Sequence, residues 1–232
     1  MATDGAEATI PQLAAQTGIP ASSVYRLLAE LERHGLVVRT TATKVALGIR
    51  LIAVGRDAEA GLHKRLVRPA QSIMEELCRE TEETVIMTAP CALEALVLHV
   101  VETQSHSVRL SYVRFRRGSL DRGASAKVLA AWLSDADRRR LLRSVEEPGV
   151  LAQALEVIRR DGFAYTANEL DEGAAAVAAP ILDHRGQLAA GLSVAGPVER
   201  IHGRVEPLAA QVQSAARAIE ARLRRSIRPV AS

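Results

Sequence analysis

Ser22, Ser23, Tyr25 and Arg26 stand together in the stretch IPASSVYRLLAELERHG, and their types suit contact with a polyanion. Small hydroxyls hydrogen-bond to phosphate oxygens or base edges. A guanidinium neutralises a phosphate or forks onto guanine. A second polar group follows at Arg39, Thr40, Thr41, Thr43 and Lys44. These residues suit the sugar–phosphate backbone or a minor groove. From Thr9 to Arg50 there are five basic residues (Arg26, Arg33, Arg39, Lys44, Arg50) against two acidic ones (Glu30, Glu32). Such a local excess fits a phosphate footprint.

The elements that must position these groups are legible from period and punctuation. Thr9-x-x-Gln12 reads as a capping box, and Pro11 is tolerated in a first turn, where amides have no helical partner. Gly18 is a favoured left-handed stop. A second helix begins near Ala21, with Val24, Leu27, Leu28 and Leu31 as its expected buried stripe, and ends at Gly35. Residues 36–39 and 44–47 read as a hairpin. The whole is a helix, a tight turn, a second helix and a wing, the layout that places a recognition helix in the major groove. The competing reading is a helical pair used only for packing. The wing and the basic excess favour DNA.

The rest of the chain changes period. Residues 49–64 read as a connecting helix. Leu66, Ala70, Ile73, Met74 and Leu77 mark an amphipathic helix with Pro69 in its first turn. Residues 84–88, 93–101 and 108–113 read as strands, and 125–133, 135–145 and 151–161 as helices. Residues 174–182 and 188–194 read as strands joined by the turn Asp183-His184-Arg185-Gly186, and Val205 to Leu223 traces a last helix. The expected class is α+β, with units at 1–48, 49–64 and 65–232. The run Asp121-Arg122-Gly123-Ala124-Ser125-Ala126-Lys127 precedes a helix whose N-terminus favours an anion. The small residues of GAAAVAAPILDHRGQLAAGLSVAGP either leave a hollow or pack tightly against a helix.

Composition bounds the alternatives. Hydrophobic residues at 48% suffice for a core, so a disordered chain is excluded; aromatics at 3% leave Ala, Leu, Val and Ile to build it. Two cysteines, Cys78 and Cys91, make no disulfide framework, which points to a reducing compartment. No apolar run spans a bilayer, and MATDGAEAT has no signal-peptide pattern, so a cytoplasmic protein is expected. Neither cysteine has zinc-site spacing, Cys78 reads as a buried thiol, and His99 as a satisfied core histidine. Ser125 and Lys127, two apart on a helix, do not face each other as a nucleophile pair would. Glu169, Asp171 and Glu172 read as a solvated acidic loop, and Arg122 as a partner of a ligand carboxylate or of Asp121. No cofactor, metal or enzyme activity is expected.

From about Thr9 to Leu223 the chain resembles the IclR-type bacterial transcriptional regulators. The winged helix-turn-helix, the connecting helix, RGASAKVLAAWL and APILDHRGQLAAGLSVAGPVERI carry the likeness. The resemblance implies an N-terminal winged helix, a linker helix used in dimerisation and a C-terminal GAF-like α/β effector-binding domain. It also implies operator DNA and a small organic acid as partners, and a homodimer or dimer of dimers. The expected DNA-contacting residues are Ser22, Ser23, Tyr25, Arg26, Arg39, Thr41 and Lys44. The family's effector pocket falls on Leu110, Ala124, Ser125, Thr166, Ala176, Ser193 and Ala195. Relatives that bind small keto acids carry Asp, Cys and a Ser-x-Ser pair at the last four positions. The loss of those polar groups here favours an apolar or aromatic acid. Relatives also carry a further helix ahead of the helix-turn-helix. Residues 1–9 are too few for it: either the sequence starts late, or the fold lacks that helix, in which case Leu27 and Leu31 are expected to lose their cover. The alternative function is a small-molecule sensor or interaction module with lost or weakened DNA binding.

Overall fold

The computed structural model describes residues 7–226, which divide into two compact units meeting between Gly61 and Leu62. In the first unit, β1 (Glu7–Thr9) leads directly into α1 (Ile10–Thr17). Thr9 and Gln12 close the capping box reciprocally, Thr9 N–H donating to Gln12 Oε1 at 2.9 Å. Gly18 ends α1 at φ +68°. Helix α2 (Ala21–Arg33) follows, then the wing strands β2 (Val37–Arg39) and β3 (Lys44–Leu47). Strand β3 pairs antiparallel with β2 on one side and β1 on the other. The three residues of β1 are too short and polar to show a strand period, so sequence reading passes over them. The expectation about a preceding helix concerns, for residues 1–6, positions outside the described residues.

The core of this unit is small: Ile10, Leu13, Val24, Leu28, Val37 and Val45. Two members of the expected stripe on α2 are not in it. Leu27 is 51% and Leu31 39% exposed. A helix seated by one face on a small core buries residues one turn apart, here Val24 and Leu28, and the flanking leucines turn outward. Among the described residues, helix α3 (Arg50–Leu62) has no buried position.

The second unit begins with a π-helical turn, His63–Val67, leading into α4 (Arg68–Thr81). A six-stranded antiparallel sheet is the framework, in the order β6 (Arg117–Ser119), β5 (Glu94–Val101), β4 (Thr84–Cys91), β9 (Leu188–Pro197), β8 (Ala174–Leu182), β7 (Ala164–Ala167). Helices α4 and α9 (Val205–Ser226) cover one face through Met74, Leu77, Leu208, Val212 and Ile219, packed on Val85, Met87, Val177 and Leu192. Helices α5 (Ala124–Ala131), α6 (Asp135–Leu142) and α7 (Pro148–Asp161) cover the other through Val128, Leu129, Leu141 and Leu155. The central strands are thus buried on both faces, and they read as near-continuous Ala, Val and Leu runs. The short helix α8 (Val198–Ile201) carries Arg200, which forks onto the buried Glu83 carboxylate and also donates to the Val108 carbonyl at 3.1 Å.

The segment 108–113 is not a strand, contrary to its alternation. It is irregular and joins no ladder, and Thr84 Oγ1 donates to its Leu110 carbonyl at 2.8 Å. The edge of β5 is instead taken by β6. Among the described residues, no helix is long and apolar enough to cross a membrane.

Candidate functional site

The first site is the outer face of α2. With Val24 and Leu28 turned inward, Ser22, Tyr25 and Arg26 are exposed and Ser23 half-buried. The turn that aims this face is fixed by Gly18 and by the Pro20 carbonyl, which accepts from Ser23 N–H at 2.9 Å and Val24 N–H at 3.1 Å. Arg26 makes no ion pair among the described residues. The wing cations are paired within the protein. Arg39 Nε lies 3.0 Å from Glu32 Oε2, and its guanidinium stands 5.9 Å from the centre of the Tyr25 ring. Lys44 Nζ lies 3.2 Å from Glu7 Oε2. Thr41 Oγ1 accepts the Lys44 amide at 3.1 Å and so shapes the wing tip. Exposed pairs of this kind contribute roughly 0–1 kcal/mol, so exchanging a carboxylate for a phosphate costs little.

The second site is a cavity of about 110 Å³ between the sheet and the N-terminal end of α5. Ala124, Ser125, Thr166, Ala176 and Ala195 line it. Ser193 and Leu110 do not line it but stand behind its wall. Ser125 Oγ donates to Ser193 Oγ at 2.8 Å, and Leu110 packs beside Ile86, Val97 and Ala195. Sequence reading missed Thr88, Tyr112, Arg116, Arg117 and Leu170, which also line the cavity. Burial, and then the Asp171 carboxylate, push the Tyr112 hydroxyl above its ordinary pKa, while Arg116 opposes them. Arg117 is paired with Glu94 at 3.1 Å.

Three readings are corrected. Asp171 and Glu172 are exposed as expected, but the Glu169 carboxylate is not free in solvent: its Oε2 accepts the Gly123 amide at 2.8 Å and its Oε1 the Lys127 ammonium at 2.6 Å. Arg122 lines the cavity and, among the described residues, does not pair with Asp121 but donates to the Glu169 carbonyl. His99 is not satisfied, because its buried Nδ1 has no partner among the described residues. Cys78 is a buried thiol as expected, and burial raises its pKa.

A winged helix-turn-helix unit followed in the chain by an α/β unit with an internal cavity is the make-up of a DNA-binding regulator. The comparisons with known proteins agree. The IclR helix-turn-helix domain matches residues 1–41, and the C-terminal domain of bacterial IclR transcriptional regulators matches residues 61–221. The chain belongs to the IclR family of bacterial transcriptional regulators. It is 30% identical to the transcriptional regulator KipR of Bacillus subtilis, over 81% of this chain and 78% of that protein. It is 28% identical to KdgR of Escherichia coli, over 94% and 86%. Its fold is also that of an IclR homologue from Microbacterium hydrocarbonoxydans, solved in complex with 4-hydroxybenzoate. That likeness has a TM-score of 0.64 at 22% identity and covers 95% of this chain and 93% of that one. The chain is a DNA-binding transcriptional regulator. These matches favour that function over a sensor module that has lost DNA binding.

Proposed function

We propose that the chain acts in the cytoplasm as a homodimer or dimer of dimers, and that an organic acid with an apolar or aromatic body modulates its operator binding. Residues 1–48 read DNA through Ser22, Ser23, Tyr25 and Arg26 on α2, and through Arg39, Thr41 and Lys44 on the wing. Residues 49–64 pair two chains; the exposed Ile52 and Val54 on α3 support this. Residues 65–232 hold the effector. The observation that carries the reading is the cavity itself: an alanine-rich chamber with Arg116 unpaired among the described residues at its lining. Apolar walls with a few placed polar groups are what a small-molecule site needs. An enzymatic role is disfavoured because the Ser125 hydroxyl is bonded to Ser193 and not to a base, and Lys127 is held by Glu169.

Anisotropy titrations with fragments from the protein's own gene neighbourhood, at two salt concentrations, test the DNA half. Arg26→Ala is expected to weaken operator binding by about 1–3 kcal/mol and to flatten sequence preference. Unchanged affinity and preference would remove Arg26 from the interface. Loss of affinity that is equal on all fragments would make it a phosphate contact only.

A further inference from the structure

Strand β4 carries a polar group that the fold itself does not use. Among the described residues, the Thr88 hydroxyl is buried without a hydrogen-bond partner, in a residue only 4% exposed that lines the cavity. We infer that Thr88 sets specificity there, by hydrogen-bonding a hydroxyl, carbonyl or amine group borne on the effector's apolar body, apart from its acid group. The inference rests on the effector reading above and narrows the class of acid: it is a polar-substituted one, which Thr88 distinguishes from the unsubstituted analogue.

The hydroxyl stands on the cavity side of the sheet. Register places Thr88 opposite Gly191 on β9. A Cβ built on Gly191 would meet Thr88 Oγ1 at 3.1 Å, Leu129 Cδ2 at 3.4 Å and the Ser125 carbonyl at 3.6 Å. Leu129 and Ser125 belong to α5, so Oγ1 faces that helix. Gly191, with no side chain, leaves it uncovered. The lining beside it is apolar: Ile86, Ala95, Val97 and Ala126. The hydroxyls closest in the fold are committed to each other and to the backbone. Ser125 Oγ donates to Ser193 Oγ at 2.8 Å, and Ser193 Oγ reaches the Ile86 carbonyl at 3.4 Å.

Valine has nearly the shape of threonine and no polar atom, so a wall built only for packing would carry it. A buried donor or acceptor without a partner is destabilising, and such groups are seldom left so. A ligand oxygen or nitrogen within reach of Oγ1 removes that penalty on binding. An unsubstituted body leaves it in place. Discrimination of this kind is strong, because a site built to hydrogen-bond a substituent rejects the analogue lacking it far more than an apolar pocket rejects a missing methylene. A threonine hydroxyl both donates and accepts, so the substituent can be of either polarity.

Isothermal titration calorimetry on the full chain tests this with matched probes. 3-Hydroxybenzoate and 4-hydroxybenzoate are compared with 3-methylbenzoate and 4-methylbenzoate, which have nearly the same shape and the same carboxylate. Wild type is expected to prefer one hydroxybenzoate over its methyl counterpart by roughly tenfold or more. Thr88→Val is expected to abolish that preference and still bind the methylbenzoates. Thr88→Ser, which keeps the hydroxyl, is expected to retain it. Without ligand, Thr88→Val is expected to raise the melting temperature of the second unit by about 2–4 °C, because it removes an unmet polar group. A lowered melting temperature would mean that a bond inside the protein uses the hydroxyl, and overturns the inference. Equal binding of hydroxy and methyl probes to wild type, or a preference that survives in Thr88→Val, overturns it and leaves the effector reading standing. If no benzoate binds any form, both are overturned.

Discussion

At the scale of single residues, His99 is the group whose environment makes the clearest demand. Its Nδ1 is buried without a partner among the described residues, and burial, foremost, holds the imidazole below its ordinary pKa of 6.5. The Arg114 and His63 charges push the same way, and Glu75 opposes them. The unfolded chain therefore binds a proton more readily than the folded one. Stability from this site is fully present above the unfolded pKa and is lost as pH falls through the lower, folded one. Urea unfolding of the second unit should show a stability decline on the acid side of about pH 6.5 that His99→Gln reduces. Equal slopes in the two proteins would assign the decline elsewhere. The same reasoning explains why sequence could not foresee the site's polar wiring. Glu169 lies 42 positions from Lys127 and 46 from the Gly123 amide it caps. No local pattern links them, and an acidic run in a loop is ordinarily solvated.

Elements were far more legible than contacts, because period is a local property. The capping box, the Gly18 stop, the wing and the two long alanine-rich strands follow from spacing alone. The failures have a common cause. Residues 108–113 alternate as a strand does, but alternation only says that one side is buried, and here the ladder partner is absent. Strand β1 and strand β7 exist because a neighbour offers its edge, which three or four residues cannot announce. Five of the seven expected effector residues line the cavity; Ser193 and Leu110 fall one layer behind, a distance that motif matching does not resolve. On α2, helical spacing proposed four inward leucines and valines, and the small core accepts two. This difference has a measurable consequence. Leu28→Ala should destabilise the first unit by about 2–5 kcal/mol, as truncation in a packed core does. Leu27→Ala at the exposed position should cost under ~1 kcal/mol. Chemical unfolding followed in the first unit would distinguish them. Comparable losses would mean that Leu27 is covered in solution, and that α2 carries a contact beyond this chain's own core.

The whole molecule joins two bodies of unequal size, each with its own core. Six buried apolar residues hold the first, whereas two larger clusters hold the second. Burial scales steeply with size, so the smaller body should be the less stable. Two bodies with separate cores should also unfold in separate steps, and ligands then become labels for them. On the proposed reading operator DNA binds the first, so saturating it near 100 times its Kd should raise that transition by roughly 2.7 kcal/mol. A carboxylate in the cavity should raise the second instead. Scanning calorimetry with each ligand alone can separate the two. The regulatory coupling then appears as the cross-term: a ligand that alters operator affinity must shift the transition of the unit it does not touch when DNA is bound, by the same free energy in both directions. A single transition moved alike by either ligand would mean that the protein unfolds as one body.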